Sequence, residues 1–134
     1  MAEVDVPSKE KIKEIFTKVV GPILSKEHRE KVQSCANSFH TMAIDFTDIG
    51  LKLCFRVSEE GNAEFTEGIP EKVDLTLTWK SDVWHNIAMK TLSPITAAST
   101  GQLAVGGGPM ATFVGMLPLL DPMTEIYKKE LGVE

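Results

Sequence analysis

His28, His40 and His85 have the broadest chemical reach in this chain, because an imidazole can ligate a metal or move a proton near neutral pH. They fall on three separate segments without metal-like spacing, so each reads as a surface or core histidine. Asp45 and Asp48 flank a turn and read as solvated carboxylates. No Gly-x-Ser-x-Gly occurs, and neither does a Walker or dinucleotide-binding pattern. Gly106-Gly107-Gly108-Pro109 precedes a helix, where backbone N–H groups can hold a phosphate, for example that of coenzyme A. No Lys or Arg follows within that helix, so a plain strand-to-helix turn is the simpler reading. Cys35 and Cys54 are isolated and fit a reducing compartment, as small buried hydrophobes or exposed thiols. No catalytic residue, metal or cofactor is expected.

Apolar surface is what the chain has in excess. From Met110 to Leu120 the only polar side chain is Thr112. A helix apolar on all sides must be buried on all sides, and a chain of 134 residues has little interior to offer it. The surplus calls for a lipid, a second subunit, a membrane or another domain. Upstream, Val73, Leu75, Leu77 and Trp79 alternate with Asp74, Thr76, Thr78 and Lys80, which is a half-buried strand. Ser81 or Asp82 is then expected to cap a helix carrying Val83, Trp84, Ile87 and Ala88. Ser93-Pro94 breaks that helix, Ile95 to Thr100 makes a short helical turn stopped by Gly101, and Leu103 and Val105 form a brief strand. Pro109 suits the first position of the apolar helix. Asp121-Pro122 reads as the start of a separate last helix, with a stripe of Met123, Ile126, Tyr127 and Leu131 and a stop at Gly132.

The first half of the chain supplies the rest of a sheet and its cover. Ser8 caps a helix with Ile12, Ile15, Phe16, Val19 and Val20 on one stripe, and Gly21-Pro22 is expected to end it. Ser25 begins a polar helix running to about Cys35. Phe39 to Phe46 reads as a strand with His40, Met42, Ile44 and Phe46 on one face. Leu51, Leu53, Phe55 and Val57 alternate cleanly, a hairpin loop follows at Glu59-Glu60-Gly61-Asn62, and residues 63–68 form a weaker strand. Together these make an α+β fold, with five strands in one mainly antiparallel sheet and the helices layered on one face. The strand at 103–105 follows a long helical crossover and is free to pair out of sequence order.

Composition sets the outer bounds. Residues 1–134 make one domain, with 43% hydrophobic and 25% charged residues. No run reaches the roughly 20 apolar residues of a membrane span, MAEVDVPSKEK has no signal core, and LGVE is not a peroxisomal address, so a cytoplasmic location is expected. A net charge of −5 argues against nucleic acid. The charge is uneven: residues 9–31 hold seven Lys/Arg against four Glu, about +3, which leaves the remainder near −8. Lys9, Lys11, Lys13 and Lys18 lie off the apolar stripe of the first helix. That face fits either a transient contact of helix 9–20 with an anionic membrane surface or a solvated outer layer.

The succession strand, helix, Ser-Pro, small turn, Gly, short strand, Gly-rich turn and apolar helix resembles the sterol carrier protein type 2 lipid-transfer family. It is carried by VDLTLTW at 73–79, the helix after it, Leu92-Ser93-Pro94 through Gly101, Leu103, Val105 and Gly107. The match is specific over about 73–117 and follows by order of elements over 9–72. Small residues stand at 98–99 where the family often has phenylalanines, and Thr100 stands where Gln is common. The resemblance implies a non-enzymatic carrier whose sheet and helices enclose an apolar tunnel for a sterol, a fatty acid, a fatty acyl-CoA or a similar long molecule. Leu53, Phe55, Leu75, Leu77, Trp79, Leu103 and Val105 face the core by alternation, and only the resemblance makes them ligand-facing. Trp84, Ile87, Phe113, Met116, Leu117 and Leu120 belong to helices with surplus apolar surface; Ala98 and Thr100 lie in the variable segment. Ser99, Gln102 and Thr112 join Thr100 as nearby polar anchors, and Met89, Met110, Met116 and Met123 add adaptability. The competing reading is an accessory module, monomer or homodimer, that packs its 110–120 helix on a partner enzyme of lipid or quinone metabolism. A third, an enzyme acting on acyl thioesters, lacks a nucleophile or base.

Overall fold

The computed structural model describes residues 6–107 and 110–132. The elements run α1 (Lys9–Glu14), a π-helical stretch (Ile15–Val20), α2 (Gly21–Glu27), α3 (Arg29–Cys35), β1 (Thr41–Phe46), β2 (Leu51–Val57), β3 (Ala63–Glu67), β4 (Leu75–Trp79), α4 (Ser81–Ala88), α5 (Pro94–Ser99), β5 (Leu103–Gly106) and α6 (Met110–Glu130). The five strands form one sheet in the order β3-β2-β1-β4-β5. Only the β1–β4 pair is parallel. The expected exchange of order therefore falls on β4, whereas β5 simply pairs antiparallel with its predecessor. The β2–β3 hairpin occupies one side of β1, so the free edge left for β4 is the other one. Asp74 pins that edge: its carboxylate accepts the N–H groups of His40 (2.9 Å) and Thr41 (3.2 Å), which hold its carboxyl below the usual carboxylate range.

Pairing lines the inner face up in three rows. Leu51, Phe46, Trp79 and Leu103 make one; Leu53, Ile44, Leu77 and Val105 the next; Phe65, Phe55, Met42 and Leu75 the third. His40 is not among them; it is exposed and precedes β1.

Helix boundaries differ from expectation in three regions of the chain. Gly21-Pro22 does not end the first helix. The Gly21 N–H donates to the Phe16 carbonyl, five residues back, and this wider turn precedes Pro22, which enters α2 at its start where no donor is required. Gly21 lies against β3, where an added Cβ would be in ordinary contact, 3.4 Å, with the Ala63 carbonyl oxygen. Ser25 lies inside α2 and not at a helix start. Its hydroxyl accepts the Ala63 N–H (2.8 Å), and the break comes at His28.

The second difference is at α4. Lys80 is its N-cap residue and no side chain of the segment caps it. Asp48 does so from the β1–β2 turn, accepting the Ser81 N–H (2.8 Å) and the Ser81 hydroxyl (2.6 Å). Third, Asp121-Pro122 starts no new helix, since α6 runs unbroken through Pro118 and Pro122. The helix is held by packing on α2, α3, α4 and the π-helical stretch, which overrides the local preference of two prolines. The Asp121 side chain is not a cap; it meets Lys90 Nζ at 3.5 Å. Gly108 and Pro109, proposed as turn and first helical position, lie outside the described residues, so the phosphate reading of that turn lies there too.

Candidate ligand-binding interior

The space between the inner sheet face and the helices is apolar and ring-rich. Phe16 of the π-helical stretch stands 5.0 Å from Phe65 and 5.3 Å from Trp84, centroid to centroid. Trp84 continues to Trp79 (5.8 Å) and edge-on to Tyr127 (5.2 Å), while Phe55 stacks on Phe65 at 4.3 Å. Among the described residues the buried polar or charged ones are Ser81, His85 and Thr124. His85 Nδ1 lies 2.8 Å from the Tyr127 hydroxyl, and burial pushes the Tyr127 phenol far above its ordinary value.

Of the residues singled out from sequence, Leu53, Phe55, Leu75, Leu77, Trp79, Trp84, Ile87, Leu103, Phe113, Met116 and Leu120 are all buried here. Ala98, Val105 and Leu117 are half-buried and pack against the same core. Thr100 is not brought in. It is exposed, its hydroxyl donates to the Thr96 carbonyl (2.8 Å), and it accepts from Gln102 Nε2 (2.9 Å). Ser99 likewise turns back on the Ile95 carbonyl, 2.9 Å away.

Two clefts open at the helical side. One of about 200 Å³ lies among Ile87, Lys90, Leu92, Ser93, Pro94, Leu120, Asp121 and Thr124. Lys90 stands at its lip with a positive φ of 65°, a left-handed conformation that costs a non-glycine residue about 1 kcal/mol. Its ammonium reaches Thr124 Oγ1 (3.3 Å) and Asp121 Oδ1 (3.5 Å), tying the end of α4 to α6. The second cleft, about 480 Å³, has Val19, Ile23 and Ile126 as apolar walls and Glu27, His28, Glu125, Lys129 and Glu130 around them. The larger one falls within the roughly 300–1,000 Å³ usual for small-molecule sites and the smaller one below it. Neither is lined by the inner sheet face.

Sequence reading missed both clefts. Their walls pair residues about thirty positions apart in the smaller cleft and about a hundred in the larger, and the only local signal was that Val19, Ile87, Leu120 and Ile126 belong to apolar helix faces. The cysteines are now placed: Cys35 and Cys54 are buried. Burial pushes the Cys35 thiol up to about 11, and its Sγ donates to the Gly115 carbonyl at 3.3 Å, so it is no ready nucleophile. Among the described residues no group of three or more His, Cys, Asp or Glu is arranged to hold a metal, and no helix is long and apolar enough to cross a membrane.

Among curated proteins, none is significantly similar in sequence. Solved structures share the fold at low identity. A ubiquinone synthesis protein, UbiJ-SCP2, superposes with a TM-score of 0.64 at 14% identity, over 87% of this chain and 99% of that one. Apo sterol carrier protein 2 from Yarrowia lipolytica gives 0.58 at 15% identity, over 91% and 96%. The sec-alkylsulfatase Pisa1 from Pseudomonas sp. gives 0.55 at 18% identity over 66% of this chain, which spans only 14% of that enzyme. The model of the SCP-2 sterol transfer family matches residues 20–114, well over half of the sequence. With the five-stranded sheet, its helical cover and the apolar interior between them, the chain belongs to the SCP-2 sterol transfer family.

Proposed function

We propose that this protein is a non-enzymatic carrier that holds a sterol, a fatty acid, a fatty acyl-CoA or a similar long molecule between the inner sheet face and the helices. The observation that carries this reading is the interior itself: three apolar rows of sheet residues roofed by Trp84, Ile87, Phe113, Met116 and Leu120, with no buried Lys, Arg, Asp or Glu among the described residues. Those side chains pack against one another here, so a ligand would enter by parting α6 from the sheet, and the two clefts along α6 are the natural places to begin. Membership in a sterol transfer family supports the same reading.

A ligand that binds only the native fold stabilises it by about 2.7 kcal/mol at a hundred times its dissociation constant. For a domain of this size that is several degrees of melting temperature. Delipidated protein screened against fatty acids, acyl-CoA, sterols and quinones is expected to show shifts that grow with chain length. A flat response to all four would remove the carrier reading.

A second reading has its own observation. From Thr91 to Leu120 the chain carries no charged residue, and Ile95 and Val114 are each 50% exposed. This uncharged stretch fits an accessory module that rests on a partner enzyme, and the likeness to a ubiquinone synthesis protein suggests the field in which to look. Retention of the protein by such an enzyme, lost in Val114→Glu with ligand binding intact, is the result that would favour it.

A further inference from the structure

We propose that Trp79 and Trp84 form the polar end of the ligand site and select a neutral oxygen acceptor, such as an ester, ketone, quinone or alcohol, over a carboxylate. This rests on the carrier reading and adds the chemistry of the head group to it. An indole N–H is a donor and nothing else, and a buried one ordinarily finds an acceptor. Trp79 is 4% exposed and Trp84 0%, yet the Nε1 of each is buried with no hydrogen-bond partner. One such group in a small protein would be unremarked. Two on neighbouring rings, 5.8 Å between centroids, put two unmet donors in one region between sheet and cover.

That region lies where a ligand would. Trp79 ends the row Leu51, Phe46, Trp79 and Leu103 on the inner sheet face. Trp84 belongs to the helical cover, and Ile87, one turn further along α4, walls the 200 Å³ cleft with Leu120. An oxygen between sheet and cover would meet both donors while its chain followed the apolar rows.

The surroundings decide the charge of that oxygen. The other rings against this pair are Phe16, Phe46 and Tyr127, and no Lys or Arg is buried among the described residues. His85, next to Trp84, has its Nδ1 engaged with Tyr127. A carboxylate here would lose its hydration without gaining a cation, whereas a neutral oxygen loses little and gains two hydrogen bonds.

The test uses the wild-type protein and three probes of one chain length: methyl tetradecanoate, tetradecanoate and tetradecane, delivered from cyclodextrin. The chain has two tryptophans, so the indole region of a proton–nitrogen correlation spectrum holds two signals, assigned with Trp79→Phe and Trp84→Phe. Native mass spectrometry scores binding independently. The ester is expected to move both indole protons downfield and to bind about tenfold tighter than the alkane, a ratio that falls to about one in Trp84→Phe whatever that variant's affinity for the alkane. Bound ester with unmoved indole signals, or ester and alkane of equal affinity, overturns this proposal and leaves the carrier reading standing. Tetradecanoate binding tighter than its ester overturns the preference for a neutral head. If none of the three binds, the carrier reading falls and this proposal with it.

Discussion

Asp48 holds the start of α4 from the turn that follows the neighbouring parallel strand β1, and its effect should be measurable. Desolvation works to raise its carboxyl, but the hydrogen bonds from the Ser81 hydroxyl and N–H, together with nearby Lys80, outweigh it and bring it below its ordinary value. A carboxyl lowered by folding adds stability above its unfolded value, and that contribution is lost as the pH falls through the folded one. Asp48→Ala should therefore cost about 1 kcal/mol in urea unfolding at neutral pH, and the gap to wild type should close below about pH 4. A gap that is the same at both pH values would show that the cap does not depend on charge. Ala98→Phe addresses the site. Ala98 is half-buried against the core, and filling that space should exclude sterol-sized probes while short fatty acids still bind. Unchanged affinity for the sterol, with the variant folded, would place the ligand elsewhere. At this scale alternation identified the inner face correctly, because period two is a purely local signal. Asp48 read as a solvated turn residue because its partner lies 33 positions away.

Prolines account for two of the misreadings at the level of elements. Asp121-Pro122 and Gly21-Pro22 both have the local signature of a boundary, and both lie within continuous helical segments. In the first, packing of α6 on four neighbouring helical segments outweighs propensity; in the second, a wide π turn makes room for the ring. Neither cause is local, so neither was legible. The strands and α5 were legible because each rests on residues a few positions apart; the Ser93 cap, whose Oγ accepts the Thr96 N–H, was not read. The prolines also make α6 a weak roof. Pro118 is exposed in mid-helix, and Pro118→Ala restores a donor there without opening a cavity. It should raise stability by about 1–3 kcal/mol in denaturant unfolding and, on the proposed entry of ligand by parting of α6 from the sheet, slow ligand exchange. A destabilised variant would mean that the surrounding helices are built around the proline.

For the whole molecule, the division of charge suggests how a carrier meets a membrane. Lys11, Lys13 and Lys18 stand off the buried stripe of the first helical segment; Lys13 is already paired with Glu10 (3.3 Å) and Glu67 (3.6 Å). Reversing all three to Glu should leave affinity in solution nearly unchanged and slow transfer from anionic vesicles but not from neutral ones, with high salt mimicking the change in wild type. Wild-type rates from anionic vesicles at low salt would assign this face to plain solvation. Val114, half exposed in the uncharged stretch from Thr91 to Leu120, is the other candidate contact, and Val114→Glu would slow transfer from both vesicle types if it touches the bilayer. Beneath both surfaces lies the central claim, that the interior between sheet and helices takes up an apolar molecule. The most direct measurement is native mass spectrometry of the protein as purified and again after delipidation and exposure to a mixed lipid extract. The account predicts a folded protein carrying one bound lipid, lost on delipidation and regained on exposure. A ligand-free protein before and after exposure would contradict it.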